Sequence, residues 1–383
     1  MDERVATIEG RWSTEQLAMG IRLGRWLGLL ARHRFRVHPV YWHRAAAIGA
    51  VGLLSSVLGA ATWLAYGSRV RAQVLDPPPL FVLGHWRSGT THLHNLLAHD
   101  PNHTVCTTWQ AVFPDHALLT GRLGPRLLAN ALPATRTYDK VSMSWSAAAE
   151  DEIALLKLTG RSFYTALMFP DDFESVEPYV DFGEAATDRD RARFLAGLDR
   201  FLRTLMVDSG GKRVVVKSCP HTARVRLITA RYPRSAFVYI HRHPARLFAS
   251  MLHMRGVVDW ENHLQRPRRS FVDSRWDQTA RLGEVVFRRY LEDRALLGPD
   301  RLVELAYDDL CGNELARLAT VYERLGLPGW PAAEGALRPY VAGLAGYQRN
   351  KLPLDPALVA YVYDRWRFVY DAHGYDAEPG AHL

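Results

Sequence analysis

The stretch GHWRSGTT, Gly84 to Thr91, limits what this chain can fold into more than any other feature. It follows the apolar run LFVL, itself preceded by the proline-rich stop VLDPPPL, and it leads into TTHLHNLLAHD, which reads as a helix starting at Thr90 and Thr91. A buried strand, a glycine turn and a helix form the setting of a phosphate loop, G-x-x-x-x-G-K-[ST]. Its backbone N–H groups and helix N-terminus attract an anion whatever the side chains. Here Thr90 stands where that motif has lysine. In a nucleoside-triphosphate loop the lysine reaches the β- and γ-phosphates, and the following Ser or Thr holds magnesium. This loop instead carries Arg87 as a charged fork, with hydroxyls on Ser88, Thr90 and Thr91. That set suits a short 5′-anion without a triphosphate tail and without a metal, and it makes Gly84, His85, Trp86, Arg87, Ser88, Gly89, Thr90 and Thr91 the candidate ligands.

Further strand candidates, RVVVKS and AFVYIHR, alternate with the helical stretches HTARVRLITARY and PARLFASMLHMR. LVELAY and NELARLATVYERLGL continue the pattern. Alternation of buried strands with helices predicts an α/β fold: a P-loop-like three-layer sandwich with a central parallel sheet flanked by helices, plus an N-terminal helical extension. The predicted division is residues 1–75 for the extension and 76–383 for the main domain. With 48% hydrophobic and 23% charged residues, the chain lies far from the disordered pattern and can bury a sizeable core. Its three cysteines, Cys106, Cys219 and Cys311, have no C-x-x-C spacing, so neither a disulfide framework nor a zinc site is indicated and a reducing compartment fits best.

GHWRSGTTHLHNLL resembles the 5′-phosphosulfate loop of sulfotransferases that use 3′-phosphoadenosine 5′-phosphosulfate (PAPS), especially the bacterial and tyrosyl-protein branches with R-S-G-T-T. A second match follows in FVYIHRHPARLFASMLHM, which resembles the family's 3′-phosphate segment, a strand ending in arginine with a serine eight residues on. Arg242 and Ser250 occupy those places. VVVKSCPHTARVRL resembles the family's K-S-P-x-H turn, where Lys217 matches the lysine that touches the transferring sulfuryl group. Cys219 takes the position of the histidine base of cytosolic enzymes, and His221 lies two residues later. SAAAEDEIALL resembles an E-D-E element of bacterial relatives and makes Glu150 and Glu152 the other candidates for the base; the same acidic cluster also suits a plain helix start. His116 is a further candidate. Tyr307, in VELAYDDL, resembles the tyrosine of an R-Y-E-D-L segment, with alanine at the arginine's place. In GYQRNKLPLD, Arg349 and Lys351 match an element that closes over the nucleotide.

The resemblance covers roughly residues 77–375. It implies in-line transfer of a sulfuryl group from PAPS to an acceptor hydroxyl, with an amine as the second choice and no metal. Arg87, Lys217 and the loop amides would stabilise charge, while His221 or a glutamate would take the acceptor's proton. The rival enzyme is a nucleotide kinase or NTPase, against which the absent lysine stands.

A net charge of +8 suggests an anionic partner. Arginine is densest near the N-terminus rather than along the catalytic region, which argues against nucleic acid and against a purely nucleic-acid-binding role. QLAMGIRLGRWLGLLARHRFRV reads as a basic amphipathic helix, and the uncharged stretch 45–68 has roughly the length that spans a bilayer. The opening residues MDERVATIEG are polar and mixed in charge, so a secretory signal peptide is not expected there. The expectation is a cytoplasmic protein peripheral on the inner face of the membrane, with a single-span type II topology as the alternative, a small-molecule or lipid acceptor, and a homo-oligomer left open. A non-enzymatic membrane-surface protein is the remaining rival. Removing residues up to Ser68 is expected to release the protein from membranes in a fractionation assay; a truncated chain that stays with the membrane would refute this.

Overall fold

The computed structural model describes residues 16–135, 141–344 and 352–377. Five strands, β1 Leu80–Leu83, β2 His103–Val105, β3 Arg213–Lys217, β4 Ala236–His241 and β5 Leu302–Ala306, form one parallel sheet in the order β2-β3-β1-β4-β5. In register, Val82 of β1 lies opposite Lys217 on one side and Val238 on the other. Strand period decides the layers. Leu80, Val82, Val238, Ile240, Val303 and Leu305 enter a core with Leu93, Leu96 and Leu97 of the helix Thr90–Ala98 and with Leu318 and Val321 of Glu314–Arg324. The alternate residues Phe81, Phe237 and Tyr239 point to the opposite face, where Tyr239 stacks on Tyr290 of the helix Arg275–Asp293 with ring centroids 3.7 Å apart. This is the three-layer α/β arrangement that the alternation predicts.

The strand candidates read from the sequence all form, while β2 was not among them. HTV is too short to carry a periodic signal. The stretch after β3 also differs from expectation, since Cys219–Ala223 makes a 3-10 turn before the helix begins at Val225. Proline at the second position of that turn lacks an N–H to extend a strand or a longer helix.

Two compact units can be distinguished. One contains the sheet and consists of Asp76–Val105, Lys212–His253 and Arg275–Leu383; the other is Met1–Leu75, Cys106–Gly211 and Met254–Ser274. The second unit is helical. Its helices Leu23–Arg32, Trp42–Ala72 and Asp188–Ser209 pack together, and Asp188–Ser209 also packs on Asp151–Thr159. At its centre the fully buried carboxylate of Asp115 takes Arg22 at 2.9 Å, Arg25 at 2.5 Å and Arg200 at 3.1 Å. The first two come from the N-terminal amphipathic stretch. Those arginines therefore turn into the protein, and Trp26, Leu29 and Leu30 are buried beside them.

Burial also fixes the charge state of several histidines. It holds His85 and His116 down at about 4. His373 is held at about 3, first by burial and then by His241 and Arg294. Each native value lies below the ordinary 6.5, so between pH 6.5 and 4 the unfolded chain binds more protons than the folded one. The stability these groups contribute is complete above pH 6.5 and falls as the pH drops toward 4. Thermal unfolding followed from pH 7 to pH 4.5 is expected to show a steadily falling Tm with uptake of about two to three protons near pH 5; a flat profile would contradict the neutral, buried state of these rings.

Candidate active site

The site is built where neighbouring parallel strands end. β1 leads into the glycine loop, β3 ends at Lys217, β4 at His241 just before Arg242, and β5 at Ala306 just before Tyr307. In a parallel sheet all these ends lie on one edge, and connections leave in opposite directions on the two sides of the central strand, opening a crevice there.

The loop itself is tightly closed. The Ser88 hydroxyl donates to the His85 carbonyl at 2.7 Å, and the Ser88 N–H donates to the same oxygen at 3.1 Å. Arg87 has φ near +69°, a left-handed conformation that a non-glycine residue adopts at a cost. Gly89, at φ +105°, caps the helix Thr90–Ala98 without bringing a side-chain acceptor to its first turn. The first-turn N–H groups of such a helix have no intrahelical partner and favour an anion. A Cβ at Gly89 would sit 2.2 Å from Cδ2 of Tyr307, and one at Gly84 would sit 2.6 Å from the Ile240 carbonyl and from Ser88 Oγ. Both loop glycines are therefore sterically required.

Two clamps hold the loop to its neighbours. On the β3 side, Thr222 Oγ1 accepts from the Gly84 N–H at 2.7 Å and donates to the Gly84 carbonyl at 3.1 Å, while Thr90 Oγ1 lies 3.8 Å from Cys219 Sγ. On the β4 side, Arg87 Nε donates to Ser250 Oγ at 3.0 Å and Arg242 Nη1 donates to the Arg87 carbonyl at 3.3 Å. The Arg242 guanidinium also lies over the Tyr307 ring, 4.7 Å from its centroid. Burial lowers the Arg242 pKa; Tyr307 and Asp308 oppose this, and Arg87 and Arg246 add to it. An arginine keeps its proton under such pressure, so Arg87, Arg242 and Arg246 form a cationic group that an anion would relieve. The buried Arg242 Nε has no hydrogen-bond partner among the described residues.

The sequence-predicted residues divide by where the fold places them. Gly84, Arg87, Ser88, Gly89, Thr90, Arg242, Ser250 and Tyr307 are joined by the contacts above. Lys217 is buried and ends β3, in register with Val82. His85 turns away from the loop mouth, stacked 5.0 Å from Phe287 and edge-on to Trp366 at 5.9 Å, and its Nδ1 pairs with the Trp86 carbonyl at 2.9 Å. Trp86 is buried and Thr91 half-buried. His221 is fully buried, edge-on to Phe81, with Nδ1 3.4 Å from Arg224 Nη1. Glu150, Glu152 and His116 belong to the helical unit. Glu152 is fully buried and accepts from Ser162 Oγ at 2.6 Å, Glu150 is half-buried and accepts from the Tyr164 hydroxyl, and His116 Nδ1 pairs with Thr120 Oγ1 at 3.0 Å. Arg349 and Lys351 lie outside the described residues.

Sequence reasoning missed Thr222, Arg224 and Arg246. A lone threonine in a turn has no pattern; only the fold brings Thr222 to Gly84, 138 positions away in sequence.

Fold and site together define an α/β protein whose central strand feeds a glycine loop at a helix N-terminus. The model of the sulfotransferase family matches residues 78–332. Two mycobacterial proteins, each named omega-hydroxy-beta-dihydromenaquinone-9 sulfotransferase Stf3, from Mycobacterium bovis and Mycobacterium tuberculosis, are 31% identical over 360 residues, covering 94% of this chain and 91% of theirs. This chain belongs to the sulfotransferase family and is an enzyme that transfers a sulfonate group from a donor. The fold agrees with the crystal structures of sulfotransferase STF1 from Mycobacterium tuberculosis and STF9 from Mycobacterium avium. STF1 has a TM-score of 0.64 at 20% identity, covering 90% of this chain and 91% of that one. STF9 has a TM-score of 0.69 at 16% identity, covering 89% and 87%.

The contact between Gly89 and Tyr307 gives a direct test of the loop. Gly89→Ala is expected to destabilise the protein by about 2–3 kcal/mol, through positive φ and overlap with the ring together. Adding Tyr307→Ala should return part of that loss in denaturant unfolding. Independent, additive effects of the two changes would show that the ring does not press on the loop.

Proposed function

We propose that the enzyme transfers the sulfuryl group of PAPS to the hydroxyl of an apolar lipid, by direct in-line displacement and without a metal. One observation carries the choice of donor: two guanidiniums, a serine hydroxyl and a glycine loop converge at the ends of β1 and β4, and the buried Arg242 Nε there has no hydrogen-bond partner among the described residues. A nucleotide with separate 5′- and 3′-anions fits that pair of positions. Gly84, Ser88, Gly89, Thr90, Thr91 and Arg87 would hold the 5′-phosphosulfate, with Lys217 at the transferring group, and His85 and Trp86 would set the loop's shape. Arg242 and Ser250 would hold the 3′-phosphate, with Tyr307 backing Arg242, and with Arg349 and Lys351 contributing from the chain beyond.

In the reaction the acceptor oxygen bonds to sulfur as the bond from sulfur to the 5′-phosphate oxygen breaks, and the acceptor's proton passes to a base. This chain's task is to stabilise charge on the sulfuryl oxygens and on the departing phosphate, and to receive that proton. We assign the base to His221, on the turn after β3 beside Thr222, the residue that clamps Gly84. Of the four candidates it alone lies in the unit that carries the glycine loop, whereas Glu150, Glu152 and His116 belong to the helical unit. Within the helical unit Glu152 supports the chain at Ser162 and Glu150 accepts from the Tyr164 hydroxyl.

A hydroxylated isoprenoid quinone is the acceptor class favoured by the 31% identity to relatives named for omega-hydroxy-beta-dihydromenaquinone-9. A lipid acceptor accords with a membrane-associating N-terminal region, residues 1–75, on the cytoplasmic face.

Turnover of sulfur-labelled PAPS against lipid extracts, hydroxylated quinones and soluble phenols tests donor, acceptor and base together. Label is expected to enter the lipid fraction undiminished in EDTA. His221→Gln is expected to lower kcat by about 10²–10⁴-fold while leaving the KM for PAPS within a few-fold. A strict need for ATP and magnesium would overturn the donor assignment. A His221→Gln enzyme with full kcat would remove His221 from the role of base.

A further inference from the structure

The helix Trp42–Ala72 is long and apolar enough to cross a bilayer. Its two faces tell a different story. One face, with Ile48, Gly52, Ser55, Gly59, Thr62 and Val70, is buried within the helical unit. A Cβ at Gly52 would meet the Ile21 carbonyl at 2.7 Å, and one at Gly59 would meet the Arg22 guanidinium at 2.5 Å. The helix is thus pressed along its length onto the N-terminal stretch, and it also packs on Asp188–Ser209, a helix with charged residues through most of its turns. Carrying Trp42–Ala72 across a membrane would take the Arg22–Asp115 and Arg200–Asp115 ion pairs into hydrocarbon with it.

The opposite face is apolar and open. Leu53 and Leu54 are each 57% exposed, Val57 63% and Leu64 87%, and no charged residue occurs from Ala45 to Ser68. Trp42 at one end is 62% exposed; Trp63 near the other is 39% exposed, its ring between Arg71 at 4.9 Å and Arg200 at 5.2 Å. Exposed Arg34, Arg36, Arg69 and Arg71 flank the stripe. From Gln16 to Leu75 the chain has eight arginines and no aspartate, glutamate or lysine. The segment packed beside the helix through Ala117–Thr120 adds the exposed leucines Leu119, Leu123 and Leu127.

From this we infer that Trp42–Ala72 is an in-plane anchor, lying parallel to an anionic bilayer with Leu53, Leu54, Val57 and Leu64 in the acyl boundary and its flanking arginines among the headgroups. The inference rests on the membrane association proposed above and specifies its geometry. An apolar stripe of this kind flanked by cations alone is complementary to an anionic lipid surface, since the arginines gain phosphates as the leucines leave water. The arrangement keeps the whole helical unit on one side of the membrane. Because the buried face belongs to that unit's core, point changes on the outer face test the idea more cleanly than truncation.

The full-length protein is mixed with phosphatidylcholine vesicles with and without phosphatidylglycerol, and binding is measured by flotation. Binding to the anionic vesicles is expected, with the Leu54→Glu, Leu64→Glu double variant weakened by about tenfold or more at unchanged helix content. In a Cys311→Ser background, cysteines placed at positions 36 and 71 are both expected to react with a membrane-impermeant thiol reagent from outside the vesicle, since Cys106 and Cys219 are buried. Absence of wild-type binding to either vesicle would sink the underlying membrane reading. Wild-type binding that the double variant retains in full, or reaction of the two cysteines from opposite sides, would overturn the in-plane anchor and leave the membrane reading standing. A change from dimer to monomer in the double variant without lipid would assign the face to a second copy, against the proposal.

Discussion

Everything at the site depends on β1 having parallel partners on both sides. With β3 on one flank and β4 on the other, the loop after Leu83 is bracketed by the ends of both neighbours. The Gly84 exchange with Thr222 and the Arg87 pairing with Ser250 and Arg242 follow from that bracket. A shift of β3 by one residue would turn Lys217 to the other face of the sheet and move the turn bearing Thr222 away from Gly84. The sheet is thus the instrument that assembles the candidate site from four separate stretches of chain.

The site is held in an electrostatically loaded state. Arg87, Arg242 and Arg246 repel one another, burial weakens the solvation of Arg242, and its ring contact with Tyr307 offsets only part of that. An anion bound beside this group would relieve that repulsion. The left-handed Arg87 belongs to the same economy: its conformation points the guanidinium at Ser250 and leaves its carbonyl for Arg242.

Local sequence pattern carries much of this arrangement. The run LFVL with the glycine loop and TTHLHNLL carries strand, turn and helix in eighteen residues, so β1 and its helix were legible, as were β3, β4 and β5 from their apolar runs. Arg242 and Ser250 were singled out by a resemblance carried on one strand end and one helix, and the fold brings both to Arg87. Thr222, Arg224 and the inward course of His85 were not, because each depends on which strand lies next to β1, a property that no window of sequence holds. The N-terminal arginines misdirect for the same reason. Arg22 and Arg25 sit in an amphipathic pattern suited to a lipid surface, yet Asp115, ninety positions from Arg25, draws both into the protein.

The proposal that the loop and the end of β4 together hold a nucleotide with separate 5′- and 3′-phosphates is open to calorimetric titration of the protein with adenosine 3′,5′-bisphosphate, in parallel with ADP and ATP. Binding of the 3′,5′-bisphosphate is expected without magnesium, at least about tenfold tighter than ADP, with a preference that collapses in Arg242→Ala. Equal affinity for ADP and the 3′,5′-bisphosphate, or a preference unchanged by Arg242→Ala, would contradict it.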